Sequence, residues 1–164
     1  MALFLPRSCG ACARYMFTCA VVFSTVKVVM DVMIPMQSPT QVLIVEDDEA
    51  IASLIADALS EESGAHTRCL HNGREAIAFL ADHTVDLLIL DYQLPGANGI
   101  EVYDTLRRSE RTMLTPVLFL TANDKRAEFQ RRGLAFMRKP FNLGELLATI
   151  EERLAAREVS AASS

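Results

Sequence analysis

The sequence predicts an α/β protein built on one open, doubly wound parallel sheet of five strands. Two observations carry that prediction. Short runs rich in Val, Ile and Leu alternate five times with longer segments whose apolar residues recur at helical spacing. The short runs are also apolar at nearly every position, as strands covered on both faces must be, where a half-solvated strand would alternate with polar residues.

The regular pattern begins at Gln41. Gln41–Val45 reads as the first buried strand. Ile51, Leu54, Ile55, Ala58 and Leu59 then share one helical face, with Asp48 or Glu49 near its start, where an acid suits the helix dipole. Residues 65–70 form a second strand ending at Asn72-Gly73, a turn signal, and a helix follows over 74–81. The third strand, 86–90, runs into Asp91. Residues 94–99, Leu-Pro-Gly-Ala-Asn-Gly, are a loop, and 100–108 a helix. Strand four, 116–120, ends at Thr121. After a short polar helix within 124–132, strand five covers 134–138 and ends at Lys139-Pro140. Leu143, Leu146, Leu147, Ile150 and Leu154 stripe a last helix, which gives way to a polar tail over 158–164.

At 164 residues the chain has room for one domain with a sizeable core. Its formal charge of -5 is uneven, with +2 in residues 1–36 and -7 in the remainder. An acidic globular part argues against nucleic acid as the main partner, because phosphate neutralisation needs clustered Lys and Arg. The pairs Arg107–Arg108 and Arg131–Arg132 are isolated and expected on solvated helix faces. Cys9, Cys12, Cys19 and Cys69 make no disulfide framework, and Cys9-x-x-Cys12 lacks a second pair to close a zinc site. A reduced, cytoplasmic compartment fits, with Cys69 a core thiol.

Residues 1–40 form an N-terminal extension of different character. Its uncharged run, Tyr15–Val26, has 12 residues, whereas a bilayer span needs about 20. Basic residues before a short apolar stretch resemble a secretory signal, but no convincing small-residue cleavage site follows. A disordered extension, or a mis-assigned start with translation beginning at Met33 or Met36, is therefore expected in place of a membrane anchor. That leaves a folded domain over 41–157.

In open parallel sheets, ligands bind outside the carboxyl ends of the strands, at the switch in strand order. Here those ends carry Glu46-Asp47-Asp48, Asp91, Thr121 and Lys139. Carboxylates converging on one crevice repel unless a cation joins them, and oxygen ligands suit a hard divalent ion such as magnesium. A carboxylate nucleophile, a cation, a lysine and a hydroxyl are together the equipment of phosphoryl transfer, which is mostly positioning and charge neutralisation. Taken singly, each residue has a plainer explanation: a helix start, a strand end, a solvated charge. Their placement at four strand ends on one edge is what points to a site.

From about Gln41 to Arg157 the chain resembles the receiver domain of two-component response regulators. The matching pieces are Val-Leu-Ile-Val-Glu-Asp-Asp at 42–48, Asp-Leu-Leu-Ile-Leu-Asp-Tyr-Gln-Leu-Pro-Gly at 86–96, Leu-Thr-Ala at 120–122 and Lys-Pro-Phe at 139–141. The resemblance implies a flavodoxin-like (β/α)5 fold and a phospho-acceptor at Asp91. It implies Mg2+ held by Glu46, Asp47, Asp91 and the Gln93 carbonyl, with Glu46 acting through water and Asp48 a neighbour. It further implies a hydroxyl switch at Thr121, an aromatic switch at Phe136, the family's lysine at Lys139 and a cis Pro140. Gln93 and Asn123 would tune dephosphorylation. The phosphoryl donor would be a sensor histidine kinase or a histidine phosphotransfer protein, docking near Ile51 and Leu54.

The implied protein is a stand-alone switch that signals by binding or relays its phosphoryl group, and catalyses only its own phosphorylation and dephosphorylation. No membrane association is expected. One departure stands out: Thr121 and Lys139 lie only 18 residues apart, fewer than is usual in the family, so the fourth helix is expected to be short and without a clear apolar stripe. A dehalogenase-type phosphatase would want a second Asp at Gln93. A flavodoxin-like cofactor binder would want a phosphate-cradling loop where Glu46-Asp47-Asp48 stands. A degenerate receiver acting as a scaffold is the remaining alternative.

Overall fold

The computed structural model describes residues 39–122 and 126–161; residues 1–38, 123–125 and 162–164, with the expectations placed on them, lie outside the described residues. The elements follow in strict alternation: β1 (Gln41–Val45), α1 (Glu49–Ser63), β2 (His66–Leu70), α2 (Gly73–Asp82), β3 (Leu87–Asp91), α3 (Gly99–Arg108), β4 (Val117–Thr121), α4 (Arg126–Arg132), β5 (Ala135–Arg138) and α5 (Leu143–Ala161). The five strands form one sheet in the order β2-β1-β3-β4-β5, and every neighbouring pair is parallel. The expected fold class is the one observed. The chain starts at β1, steps outward to β2 and returns across to β3, so the strand order switches between β1 and β3.

The side-chain period of two divides the core into layers. Leu43, Val45, Leu88, Leu90, Val117 and Phe119 point to one face, against Ala76 and Leu80 of α2, Val102 and Leu106 of α3 and Phe129 of α4. Val42, Ile44, Leu87, Ile89, Leu118 and Leu120 point to the other, against Ala52, Ile55 and Leu59 of α1 and Leu146 and Ile150 of α5. Both faces of the central strands are dry, which is why their sequence is apolar throughout. Each such Leu or Ile contributes about 1.5–3 kcal/mol by leaving water. Half-buried Cys69 packs beside the second layer, its thiol 3.8 Å from the Ala52 carbonyl that accepts from it.

Two expectations change. The last helix does not stop before a tail at 158: its backbone continues to Ala161, because no Gly or Pro interrupts this alanine-rich segment. Near that end, Arg157 forms a close ion pair with Asp86, whose other oxygen accepts from the Gln41 amide at 2.8 Å. Arg107 is also not a solvated charge. Its guanidinium lies over the Tyr103 ring at 4.6 Å and donates to the carbonyls of Met113 (2.7 Å) and Thr115 (2.8 Å), closing the connection into β4. Its neighbour Arg108, and Arg131 and Arg132, are exposed as expected.

The fourth helix is short, with seven residues. In place of an apolar stripe it has one anchor, Phe129, fully buried against Phe119, Phe136 and Tyr92.

Candidate functional site

Four strand ends meet at one edge. Glu46 follows β1, Asp91 closes β3, Thr121 closes β4 and Lys139 follows β5. Glu46 and Asp91 are 1% and 5% exposed and Thr121 is equally buried. The Lys139 ammonium joins them: Nζ donates to Oε1 and Oε2 of Glu46 at 2.7 and 2.6 Å and to Oδ2 of Asp91 at 2.8 Å. Its backbone amide donates to the Thr121 carbonyl at 2.8 Å, which ties the end of β5 to the end of β4. The Lys139–Pro140 peptide bond is cis, as the resemblance implies. Thus residues separated by 93 positions in the chain touch through one ammonium.

The electrostatics are dominated by desolvation. Burial pushes the Glu46 carboxyl up to about 7, the negative Asp91 pushing the same way and Lys139 opposing both. For Lys139 burial alone would lower the pKa, but the hydrogen bonds and charges of Asp91 and Glu46 more than offset it and hold the ammonium above its usual range. One lysine against two buried carboxylates, with exposed Asp47 beside them, leaves the cluster short of positive charge.

The local sequence explains how these groups are held. Asp48 is not needed in the crevice: its side chain caps α1, accepting from the amides of Ala50 (2.9 Å) and Ile51 (3.2 Å). That turns the chain after Asp47 and leaves Glu46 and Asp47 at the edge. Behind the acceptor, α3 approaches so closely that a Cβ on Gly99 would lie 2.4 Å from the Asp91 carbonyl oxygen, a contact only glycine avoids. The Gln93 amide donates to Asp91 Oδ1 at 3.2 Å, fixing the carboxylate and placing Gln93 beside it. Phe136 of β5 stacks on Phe129 with ring centroids 5.2 Å apart, one residue layer from the crevice.

The donor set fits a metal. Glu46, Asp47 and Asp91 each bring one carboxylate oxygen to within 4.8 Å of the others. All are hard oxygen donors, and their uncompensated negative charge is the condition a divalent cation such as Mg2+ relieves. The structure brings together Glu46, Asp47, Asp91, Gln93, Thr121 and Lys139. Phe136 stands one step behind, and Asn123 lies outside the described residues. Two contributors were not legible beforehand. His71 donates from Nδ1 to the Glu46 carbonyl at 2.8 Å, and the Asn-Gly turn that follows it gives no sign of that bond. Phe129 was a lone aromatic in a polar segment.

These features define a receiver domain, and the comparisons with known proteins agree. The family model of the response regulator receiver domain matches residues 42–151; the chain belongs to that family. It is 39% identical over 118 residues to the transcriptional regulatory protein TrcR of Mycobacterium tuberculosis, covering 69% of this chain and 44% of that one. It is 37% identical over 119 residues to the phosphate regulon transcriptional regulatory protein PhoB of Rhizobium meliloti, covering 70% and 52%. The chain thus spans about half the length of the curated relatives it matches.

Among solved structures, the chemotaxis response regulator CheY4 of Vibrio cholerae superposes with a TM-score of 0.65 at 28% identity, over 71% of this chain and 99% of that one. The receiver domain of a sensor histidine kinase from Pseudomonas aeruginosa shares the fold (TM-score 0.63, 22% identity, 72% and 99% covered) and has magnesium coordinated in its active-site cleft. The curated relatives are transcriptional regulatory proteins, so the expectation that nucleic acid is no partner finds no support in them. Among the described residues no helix is long and apolar enough to cross a membrane.

Proposed function

We propose that the chain accepts a phosphoryl group on Asp91 from a partner phosphohistidine, on a sensor histidine kinase or a histidine phosphotransfer protein, in a Mg2+-dependent reaction in the cytoplasm. The observation that carries this reading is the Lys139 ammonium bridging Glu46 and Asp91 at hydrogen-bond distance. It holds the Asp91 carboxylate in place through a 2.8 Å hydrogen bond, in a crevice whose other side chains are mostly acidic. Glu46, Asp47, Asp91 and the Gln93 carbonyl would hold the ion, which when bound neutralises the phosphoryl oxygens.

The chain's own residues do the rest. Asp91 Oδ attacks the phosphorus in line, the P–N bond to the donor imidazole breaks, and an acyl phosphate forms on Asp91. Lys139 is placed to follow the new charge, and Thr121 at the end of β4 to offer its hydroxyl to a phosphoryl oxygen. Movement of Thr121 toward the crevice frees room beside β4 for Phe136, so a local charge change biases the packing of the flank. Gln93, beside the acceptor, would set how water reaches it, a role the family resemblance extends to Asn123. The protein catalyses nothing beyond its own phosphorylation and dephosphorylation. The outcome is altered partner binding or onward relay of the phosphoryl group; the relatives' regulatory role makes a transcription-linked partner part of that reading. Half-exposed Leu54 and neighbouring Ile51 on α1 would contact the donor.

The test is incubation of the full chain with acetyl phosphate, with and without Mg2+, followed by intact-mass measurement of wild type and Asp91→Asn. A magnesium-dependent gain of one phosphoryl group, absent in Asp91→Asn, is the expected result. No gain in the wild type, from acetyl phosphate or from a phosphohistidine donor, would leave the phosphorylation-independent scaffold.

A further inference from the structure

The loops that carry the acidic pair and the acceptor are separate in sequence, yet a third segment bonds to both. Residues 70–74, from the end of β2 to the first turn of α2, lie against each. On one side, the Leu70 carbonyl accepts from the Glu46 amide at 3.0 Å. His71 Nδ1 then meets the Glu46 carbonyl at 2.8 Å; because a carbonyl only accepts, Nδ1 carries the proton. Both backbone groups of Glu46 are thereby held by two consecutive residues. On the other side, the Gly73 amide donates to the Pro95 carbonyl at 3.0 Å and Arg74 Nε to the Gly96 carbonyl at 3.2 Å. The approach is close enough that a Cβ on Gly73 would lie 1.9 Å from the Ala97 carbonyl oxygen. Asn72, between them, caps α2 by accepting from the Arg74 amide at 2.8 Å, so the segment is rigid where it spans the two loops.

We propose that His71 is a positioning residue and that residues 71–74 are a strap setting the distance between the Glu46–Asp47 loop and the loop from Gln93 to Gly99, so that the metal's ligands are spaced before the ion arrives. This rests on the phospho-acceptor reading above. His71 touches no reacting atom; it acts through the Glu46 backbone. Ligands spaced in advance bind an ion more tightly because less order is lost on binding.

Mn2+ is the probe, titrated into the full chain and followed by electron paramagnetic resonance, with thermal melting in EDTA measured alongside. His71→Ala is expected to weaken Mn2+ binding roughly three- to tenfold, the worth of one hydrogen bond to a supporting group. His71→Asn, whose side-chain N–H can stand where Nδ1–H stands, is expected to restore most of that loss. Arg74→Ala weakens binding less, and the double variant less than the two losses combined, because both cut one strap. If His71→Ala binds Mn2+ as wild type does, whatever its melting temperature, the strap is overturned and the histidine is merely structural. If Asn does no better than Ala, the hydrogen bond is not the cause and the proposal fails likewise. A wild-type chain that takes up no Mn2+ overturns instead the phospho-acceptor reading beneath it.

Discussion

At the crevice between β1 and β3, two buried carboxylates are held by one ammonium and a set of backbone hydrogen bonds. On the flank made by β4, α4 and β5, a seven-residue helix is held by one phenylalanine among three other rings. The first region has strong, directional contacts whose strength depends on charge. The second has non-directional apolar contacts that tolerate sliding. The difference matters because the proposed switch needs both kinds. A phosphoryl group changes charge, which only the crevice can sense, and the response requires a packing arrangement close to a second one of similar energy. A short helix with a single anchor would allow that, where a longer helix with an apolar stripe would resist it.

The largest effect expected from breaking the flank is that of Phe129→Ala. Its ring is fully buried between Phe119 and Phe136, and α4 has no second large buried side chain among the described residues. The loss should be about 3–5 kcal/mol, read as a fall in the denaturation midpoint. The far-UV signal should lose little besides α4, and Asp91 should still be phosphorylated, because Phe129 meets the neighbouring Tyr92 ring and none of the crevice carboxylates. Loss of phosphorylation in a variant that remains folded would show that the aromatic stack also holds the crevice.

Charge gives the next effect, and it sharpens the contrast. In the folded protein burial raises the Glu46 pKa from 4.5 to about 7. A carboxyl raised on folding contributes stability that is full below pH 4.5 and is lost as pH rises through about 7. The metal-free protein should therefore melt at progressively lower temperature between these limits, and Glu46→Gln should have a shallower slope there. Mg2+ should restore stability above pH 7, where Glu46 is ionised. The Phe129→Ala deficit, by contrast, should be the same at pH 5 and pH 8. Parallel melting curves for wild type and Glu46→Gln would mean that Lys139 alone neutralises the pair.

Much of this architecture could be read from the chain because the rules involved are local or nearly so. Apolar runs such as Leu87–Leu90 admit little but a doubly covered strand, and the topology then delivers Glu46, Asp91, Thr121 and Lys139 to one edge without any side-chain detail. What escaped depends on contacts whose partners carry no signature. Arg107 looked like a solvated charge, but two carbonyls on a loop happen to lie within its reach. His71 has an ordinary position in a turn, and its bond is to a backbone atom that any residue would present. The polar composition of 158–164 points to a tail, yet helix propensity carries α5 to Ala161, and Arg157 has a partner, Asp86, 71 positions away. The short α4 was predicted from the count between Thr121 and Lys139; the role of Phe129 could not be, because one ring has no periodicity.

The smallest effect decides whether α4 really has a single anchor. Arg132 lies 3.4 Å from Asp104 on α3, with both side chains more than two-fifths exposed. An exposed pair of this kind contributes about 0.2–1 kcal/mol and is screened by salt. Arg132→Ala should therefore shift the midpoint barely beyond error at 0.15 M salt, and not at all at 1 M. A larger, salt-insensitive loss would mean that α4 is pinned to α3 as well as to the sheet. The flank would then be held at two points, and the ease of repacking argued from Phe129 alone would no longer hold.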